Sequence, residues 1–484
     1  MKRGLALLPA AALGACVAGP APDIAMPAPE LPASFAYVPV EGAGDIASLL
    51  PREDTAFDRL ASQALAGSPS VLEALARIDR ARATARGAAA DRLPSIGADG
   101  NITASRTNPG NFPDDLPFDI ETEQVVFAAN VTARWDPDLF GVLRAREQAA
   151  LLRLDAARAD VAAVRLALVS EIAASVIDWR TLDARVSELE NDRAAADELA
   201  RLARVREVAG ISPGFDRVRA QSAAAASASR LAALENERAR LLGRLVTLTT
   251  LDGRQVQLAF SASPPPRELV ALPAAAPSLL LVNRPDIARA EAQLLASDAD
   301  LAAIARRRFP QVNLSAAIGL LAFGIGGVFD ENSLVASLGA GLAAPLLDFG
   351  RIEAEIDAGA ADTRAAFQRY RAAVFTALGD AEGAYALVRA ADAQADRARE
   401  ERDTAQRAAD LADVRFRAGL ADFLTVLEAR RSADASGERA ALALGQARRA
   451  RVVLWQALGG SPRPAQTMEG SVQNGDIVPS PVEK

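Results

Sequence analysis

Histidine is absent from all 484 residues, cysteine occurs once, methionine three times, and aromatic residues make up only 5% of the chain. Without histidine the chain lacks the commonest general acid/base and the commonest metal ligand. A lone thiol, Cys16, allows neither an intrachain disulfide nor a thiolate cluster. No Asp/Asn-rich loop of the EF-hand type and no Gly-x-Ser-x-Gly elbow offers a substitute. These absences argue against an enzyme and against a metal or organic cofactor. The methionines stand at positions 1, 26 and 468, so no thioether series is available to soft metals. A basic excess is also missing: the formal net charge is −8, which argues against a nucleic-acid partner.

Proline is missing from two long spans, between Pro137 and Pro213 and between Pro345 and Pro462. Those spans are rich in Ala, Leu, Arg, Glu and Asp, the composition of long helices. At about 1.5 Å per residue, a helix over 139–209 would run on the order of 100 Å. Leu151, Leu154, Val161, Val164, Leu168 and Ile172 step by three or four, the seam of a coiled coil or helical barrel.

The N-terminus reads as an address. Lys2 and Arg3 precede an apolar stretch from Leu5 to Leu13, too short for a permanent membrane helix and suited to a secretory signal. It ends in Leu13-Gly14-Ala15-Cys16, which resembles the bacterial lipobox; the alternative is an ordinary signal with an incidental cysteine. The lipobox reading makes 1–15 a lipoprotein signal peptide and Cys16 the site of an S-diacylglycerol and an N-palmitoyl group. Several acyl chains anchor firmly, at about 0.8 kcal/mol per buried CH₂. Val17 is not the Asp that favours inner-membrane retention, so the outer membrane is expected. Residues 16–55 read as a lipidated extended arm rich in Pro and Ala.

The remainder is duplicated. Arg92-Leu93-Pro94 matches Arg308-Phe309-Pro310, and Phe140-Gly141 matches Phe349-Gly350 at a shift of 209 residues. Gly210 and Gly419, which end the two long helical stretches, are again 209 apart. A constant offset implies elements of equal length. The first repeat is expected over 56–250, with strands at 95–105 and 124–135, a long helix at 139–209 and a return helix at 214–249. The second is expected over 283–460, with strands at 311–321 and 333–344 and helices at 350–417 and 420–458. A linker over 251–282 joins them, and 461–484 is a tail.

Each strand alternates apolar and small or polar residues, as in Ile96, Ala98, Gly100 and Ile102 against Gly97, Asp99, Asn101 and Thr103. Period two marks a strand with one apolar face, and about ten residues suffice to cross an outer membrane at a tilt. Soluble hairpins on a core would show the same alternation. Four strands leave two open edges, which hydrocarbon does not tolerate. Either several chains pool their strands in a cyclic oligomer, or the strands stay outside the membrane.

The lipobox, the duplicated strand-loop-strand-helix-hairpin unit, Asp348-Phe349-Gly350, Arg415-Phe416-Arg417-Ala418-Gly419 and Ala457-Leu458-Gly459-Gly460 together resemble the TolC-like outer-membrane efflux family, in particular its NodT-like lipoprotein branch. The resemblance runs from Cys16 to about Pro462. It implies a mainly α fold with a transmembrane β part: a homotrimer with a shared twelve-stranded barrel and a periplasmic α-barrel of hairpins. An equatorial belt would come from the arm, the linker and the tail. It further implies an exit duct in the outer membrane, contacting outer-membrane lipid. A periplasmic adaptor and an inner-membrane pump of the resistance-nodulation-division type would dock at the tips near Gly210, Gly214 and Gly419. By the same resemblance, Leu424, Glu428 and Arg431 form a periplasmic gate, with Glu428 where the family usually has Asp. Their first-repeat equivalents bring in Phe215 and Arg219, and Arg219 could pair with Glu428 of a neighbouring hairpin. On an ordinary helix the same charges would be a solvated face. A periplasmic adaptor would show one hairpin between β-rich domains, and a structural envelope coiled coil would not need the strands.

Overall fold

The computed structural model describes residues 22–39, 44–106, 123–261 and 269–460. Cys16, the signal, residues 107–122 and the tail 461–484 lie outside the described residues.

The elements run α1 (Thr55–Gly67), α2 (Pro69–Ala90), β1 (Ser95–Arg106), β2 (Glu123–Trp135), α3 (Val142–Val208) and α4 (Gly214–Thr249). They continue with α5 (Gly253–Ser261), α6 (Leu279–Asn283), α7 (Pro285–Arg306), β3 (Gln311–Ala322), β4 (Leu334–Ala343), α8 (Arg351–Arg417) and α9 (Phe423–Ala457). The duplication is visible in lengths: α2 and α7 have 22 residues each, and α3 and α8 have 67 each. Pro69 and Pro285 each occupy the first helical position, where a missing N–H costs nothing.

The compact units do not follow the repeats. Of the described residues, one contains 22–27 and those within 77–158 and 289–370, the other those within 28–76, 159–288 and 371–460, so each draws on both halves.

The first unit carries an antiparallel sheet of order β1-β2-β3-β4. Its registers place Ile96 opposite Ala133, Val131 opposite Ile318, and Ile318 opposite Ala336. Even residues of β1, odd residues of β2 and even residues of β3 and β4 therefore share one face. Every apolar stripe lands on that face. Below it, Leu301, Ala305, Ile352, Ile356 and Ala360 form a buried cluster with Ile24 of the arm packed against it.

Two aspartates start the long helices. Asp138 accepts from the N–H groups of Leu143 and Arg144, and Asp348 from those of Gly350 and Ile352. Each satisfies donors that a helix start leaves orphaned. The backbone N–H groups of Ile352 and Gly350 hold the Asp348 carboxyl below its ordinary pKa.

In the second unit, the seam expected on α3 is buried at Val161, Leu168 and Ile172, and Val164 is half-buried. In the first unit Leu154 is buried, whereas Leu151 is 47% exposed. The linker is not featureless, because Val256, Ala259 and Phe260 bury one side of α5. Asp54 caps α1 through Ala56 N–H and also takes a bidentate ion pair from Arg180. Both side chains are almost fully buried, and Arg180 adds a bond to the Phe260 carbonyl. Tyr385 is fully buried, donates its hydroxyl to Pro273 O, accepts from Ala275 N–H, and packs on Phe35 of the arm.

Candidate functional site

Among the described residues, nothing covers the apolar face of the sheet. Ile96 is 75% exposed, Ile102 70%, Leu338 88% and Leu342 71%. The opposite face holds Asp99, Asn130, Thr132, Arg134, Ser315 and Ser337, with glycine at 97, 319, 339 and 341. Asn130 donates to Asp99 across β1 and β2 at 3.4 Å. A Cβ on Gly319 would stand 2.3 Å from Asn130 Oδ1, so the strands approach closely there only because position 319 has no side chain. Exposed apolar residues on one face and small polar ones on the other invert the soluble pattern. Water would leave such a contiguous apolar patch unsatisfied. No helix among the described residues is long and apolar enough to cross a membrane.

Both helical turns in the second unit close in the same way. Gly210 has φ +75° and Gly419 φ +74°, a left-handed cap that costs glycine little. Gly210 N–H donates to Glu207 O and Ile211 N–H to Arg206 O; Gly419 N–H donates to Phe416 O and Leu420 N–H to Arg415 O. These paired bonds are the Schellman pattern. Gly214 has a different reason: a Cβ there would lie 2.6 Å from the Glu207 carboxylate, which crosses the turn to Arg217 at 2.6 Å. Beneath the turns, Leu199, Ala203, Ala220, Ala412, Phe416, Phe423, Val426 and Leu427 form one buried cluster. Asp422 caps α9, and the hydroxyl and N–H of Thr425 keep its carboxyl below the ordinary range.

With Phe423, Val426 and Leu427 turned into this cluster, helical periodicity sends Leu424, Glu428 and Arg431 outward. All three are exposed along one stripe of α9, with Leu424 at 37%. Glu428 and Arg431 have no ion-pair partner among the described residues. Phe215 is also exposed, and the Arg219 guanidinium sits 5.5 Å over its ring. Arg219 and Arg431 both line a groove of about 470 Å³, together with Asp192, Arg230, Arg430 and Asp434. The structure thus joins Arg219 to Phe215 by stacking and to Arg431 by the groove. Within one chain it shows no contact between Arg219 and Glu428.

Asp192 and Asp434 escaped the sequence reading. They lie 242 positions apart, on helices of different repeats, and each alone resembles any helix-surface acid. Burial, and next Asp434, push the Asp192 carboxyl up to about 8, against the attraction of Arg230.

A family profile described as "Outer membrane efflux protein" matches residues 60–253 and 276–460. The pyoverdine export outer membrane protein OpmQ of Pseudomonas aeruginosa is 34% identical over 464 residues, covering 93% of this chain and 94% of the relative. Nodulation protein T of Rhizobium leguminosarum bv. viciae is 29% identical and covers 97% of each chain. Among solved structures, the outer-membrane channel OprN superposes with a TM-score of 0.81 at 24% identity, covering 91% of this chain and 98% of its own.

Proposed function

Because the chain belongs to the outer membrane efflux protein family, we propose that it serves as the outer-membrane exit duct of a tripartite efflux system, with three copies pooling their strands into one twelve-stranded barrel. The observation that carries this reading is the sheet. Among the described residues its edges β1 and β4 are unpaired, and its apolar face is exposed. A bilayer accepts an apolar face but not an open edge. Edge-to-edge pairing of β4 with β1 of the next copy meets both conditions. The polar, glycine-rich face then lines a wet lumen.

The helical hairpins continue the duct into the periplasm. Its closed end carries Leu424, Glu428 and Arg431, with Phe215 and Arg219 from the first repeat. The turns at Gly210, Gly214 and Gly419 receive the periplasmic adaptor. Val208, Ile211, Leu411, Val414 and Leu420 are each more than half exposed around them and offer it apolar contact. An inner-membrane pump, of the resistance-nodulation-division type, supplies the energy. The duct carries what that pump delivers. Acyl chains on Cys16 hold the chain to the outer membrane.

The test is the mass of the purified protein in mild detergent, by light scattering corrected for bound detergent. A trimer is expected. A stable monomer would leave the sheet edges open and would remove the barrel.

A further inference from the structure

The antiparallel seam between α3 and α9 pairs complementary groups at most of its crossings. Asp178 meets Arg449 at 2.6 Å and Arg185 meets Glu438 at 2.7 Å. Between them Thr181 packs on Gly445, where a Cβ would lie 2.3 Å from its hydroxyl oxygen. Glu188 lies against Gly437, 3.1 Å from where a Cβ would stand. One turn further on, two acids face each other, Asp192 on α3 and Asp434 on α9. Both border the groove described above. Asp192 Oδ2 is buried and has no hydrogen-bond partner among the described residues. A buried carboxylate oxygen without a donor, next to a second carboxylate, is an arrangement that two negative charges would force apart.

The surrounding charges do not neutralise the pair. On α4, Arg230 attracts Asp192 but donates to Ser227 at 3.1 Å, and Arg219 is stacked on Phe215. On α9, Arg430 reaches toward Asp410 of α8 at 4.0 Å, while Arg431 is exposed at the groove rim and Glu438 is engaged by Arg185. On α8, Glu401 is taken by Arg439 of α9. Glu188, one turn back on α3, adds a further negative charge.

We propose that Asp192 and Asp434 are a proton-held latch: one proton shared between the two carboxyls keeps the α3–α9 seam closed, and its release to solvent lets the two helices separate. The shared proton supplies the donor that Asp192 Oδ2 lacks. Burial, Asp434 and Glu188 hold the Asp192 carboxyl up at about 8 in the closed seam. In an opened seam it returns toward its ordinary 3.8. The closed form therefore binds more protons than the open one. Its advantage is fullest below about pH 4, falls as pH rises toward 8, and is constant above that. The ideal slope is about tenfold per pH unit. The pair is only half-buried, so solvent screening reduces this. The latch itself does not depend on the proposed duct; only its consequence, an entrance that loosens as the periplasm turns alkaline, rests on that reading.

The test is hydrogen–deuterium exchange of the full-length protein in detergent from pH 5 to pH 9, each rate corrected for intrinsic exchange. The chain has no histidine, so few other groups titrate in this window. Protection of segments 188–199 and 427–438 is expected to fall at least about tenfold between pH 5 and pH 8, with no further fall to pH 9. In Asp434→Asn the amide replaces the shared proton as donor, and protection is expected to stay at its acid value throughout. Asp192→Asn should behave alike. A pH-independent wild type, or an Asn variant that follows the wild type, overturns the latch. So does an equal loss of protection in α5, which would mean general loosening. Conductance in planar bilayers, measured alongside, reads the duct separately: no conductance at any pH would count against the duct and would leave the exchange result standing.

Discussion

Leu338→Arg asks directly which solvent the sheet meets. Leu338 lies mid-way along β4, on the apolar face, and is 88% exposed. If that face meets water, an arginine there is an ordinary surface change, within about 0.5 kcal/mol. If it meets lipid, arginine near the bilayer midplane costs about 2–4 kcal/mol, which is on the order of 30- to 1000-fold in the folded population. Ser337→Arg places the same side chain one residue away on the opposite face, where a wet lumen would accept it as an ordinary surface change, within about 0.5 kcal/mol. The assay is urea unfolding of the protein inserted in phospholipid vesicles, read by the midpoint and by the recovery of folded trimer. Leu338→Arg is expected to lose most of its folded protein while Ser337→Arg keeps nearly all of it. Equal behaviour of the two variants would refute the lipid-facing assignment, because the two positions differ only in the face they occupy.

Asp54→Ala is expected to destabilise the second unit by about 3–5 kcal/mol, since it strands the buried Arg180 guanidinium, and by about 1 kcal/mol more through the lost cap of α1. Thermal unfolding should show the loss, and Asp54→Leu combined with Arg180→Met should recover most of it; no recovery would mean that the ion pair is not its origin. Leu424→Ala with Glu428→Ala removes an apolar and an acidic group from the exposed stripe of α9, and single-channel conductance in planar bilayers is expected to rise. Unchanged conductance would take both residues out of the gate.

Much of the local structure was legible because it depends on neighbours in sequence. Proline-free spans and helix-ending glycines act within a turn or two, and the two turns at Gly210 and Gly419 close through the same bonds. Strand alternation was equally plain. The role of the capping aspartates was harder to read. Asp138 and Asp348 are 210 apart while the glycines beside them are 209 apart, and only the backbone shows that both cap a long helix. The equivalence of the two repeats puts Arg219 beside a neighbour's Glu428. Its stacking on Phe215 depends on side-chain rotamers that no spacing reveals.

The sequence by itself determined the long helices, their duplication and the two-faced character of each strand, because periodicity and turn chemistry are local properties of the chain. Tertiary structure decided what those faces and charges meet. The registers bring odd residues of β2 onto the same face as even residues of its neighbours, and the described residues leave that face uncovered. Asp54 meets Arg180 across 126 positions, and Asp192 meets Asp434 across more. In each case the energy of a side chain depends on what is desolvated beside it, and that neighbour is fixed only when distant segments pack.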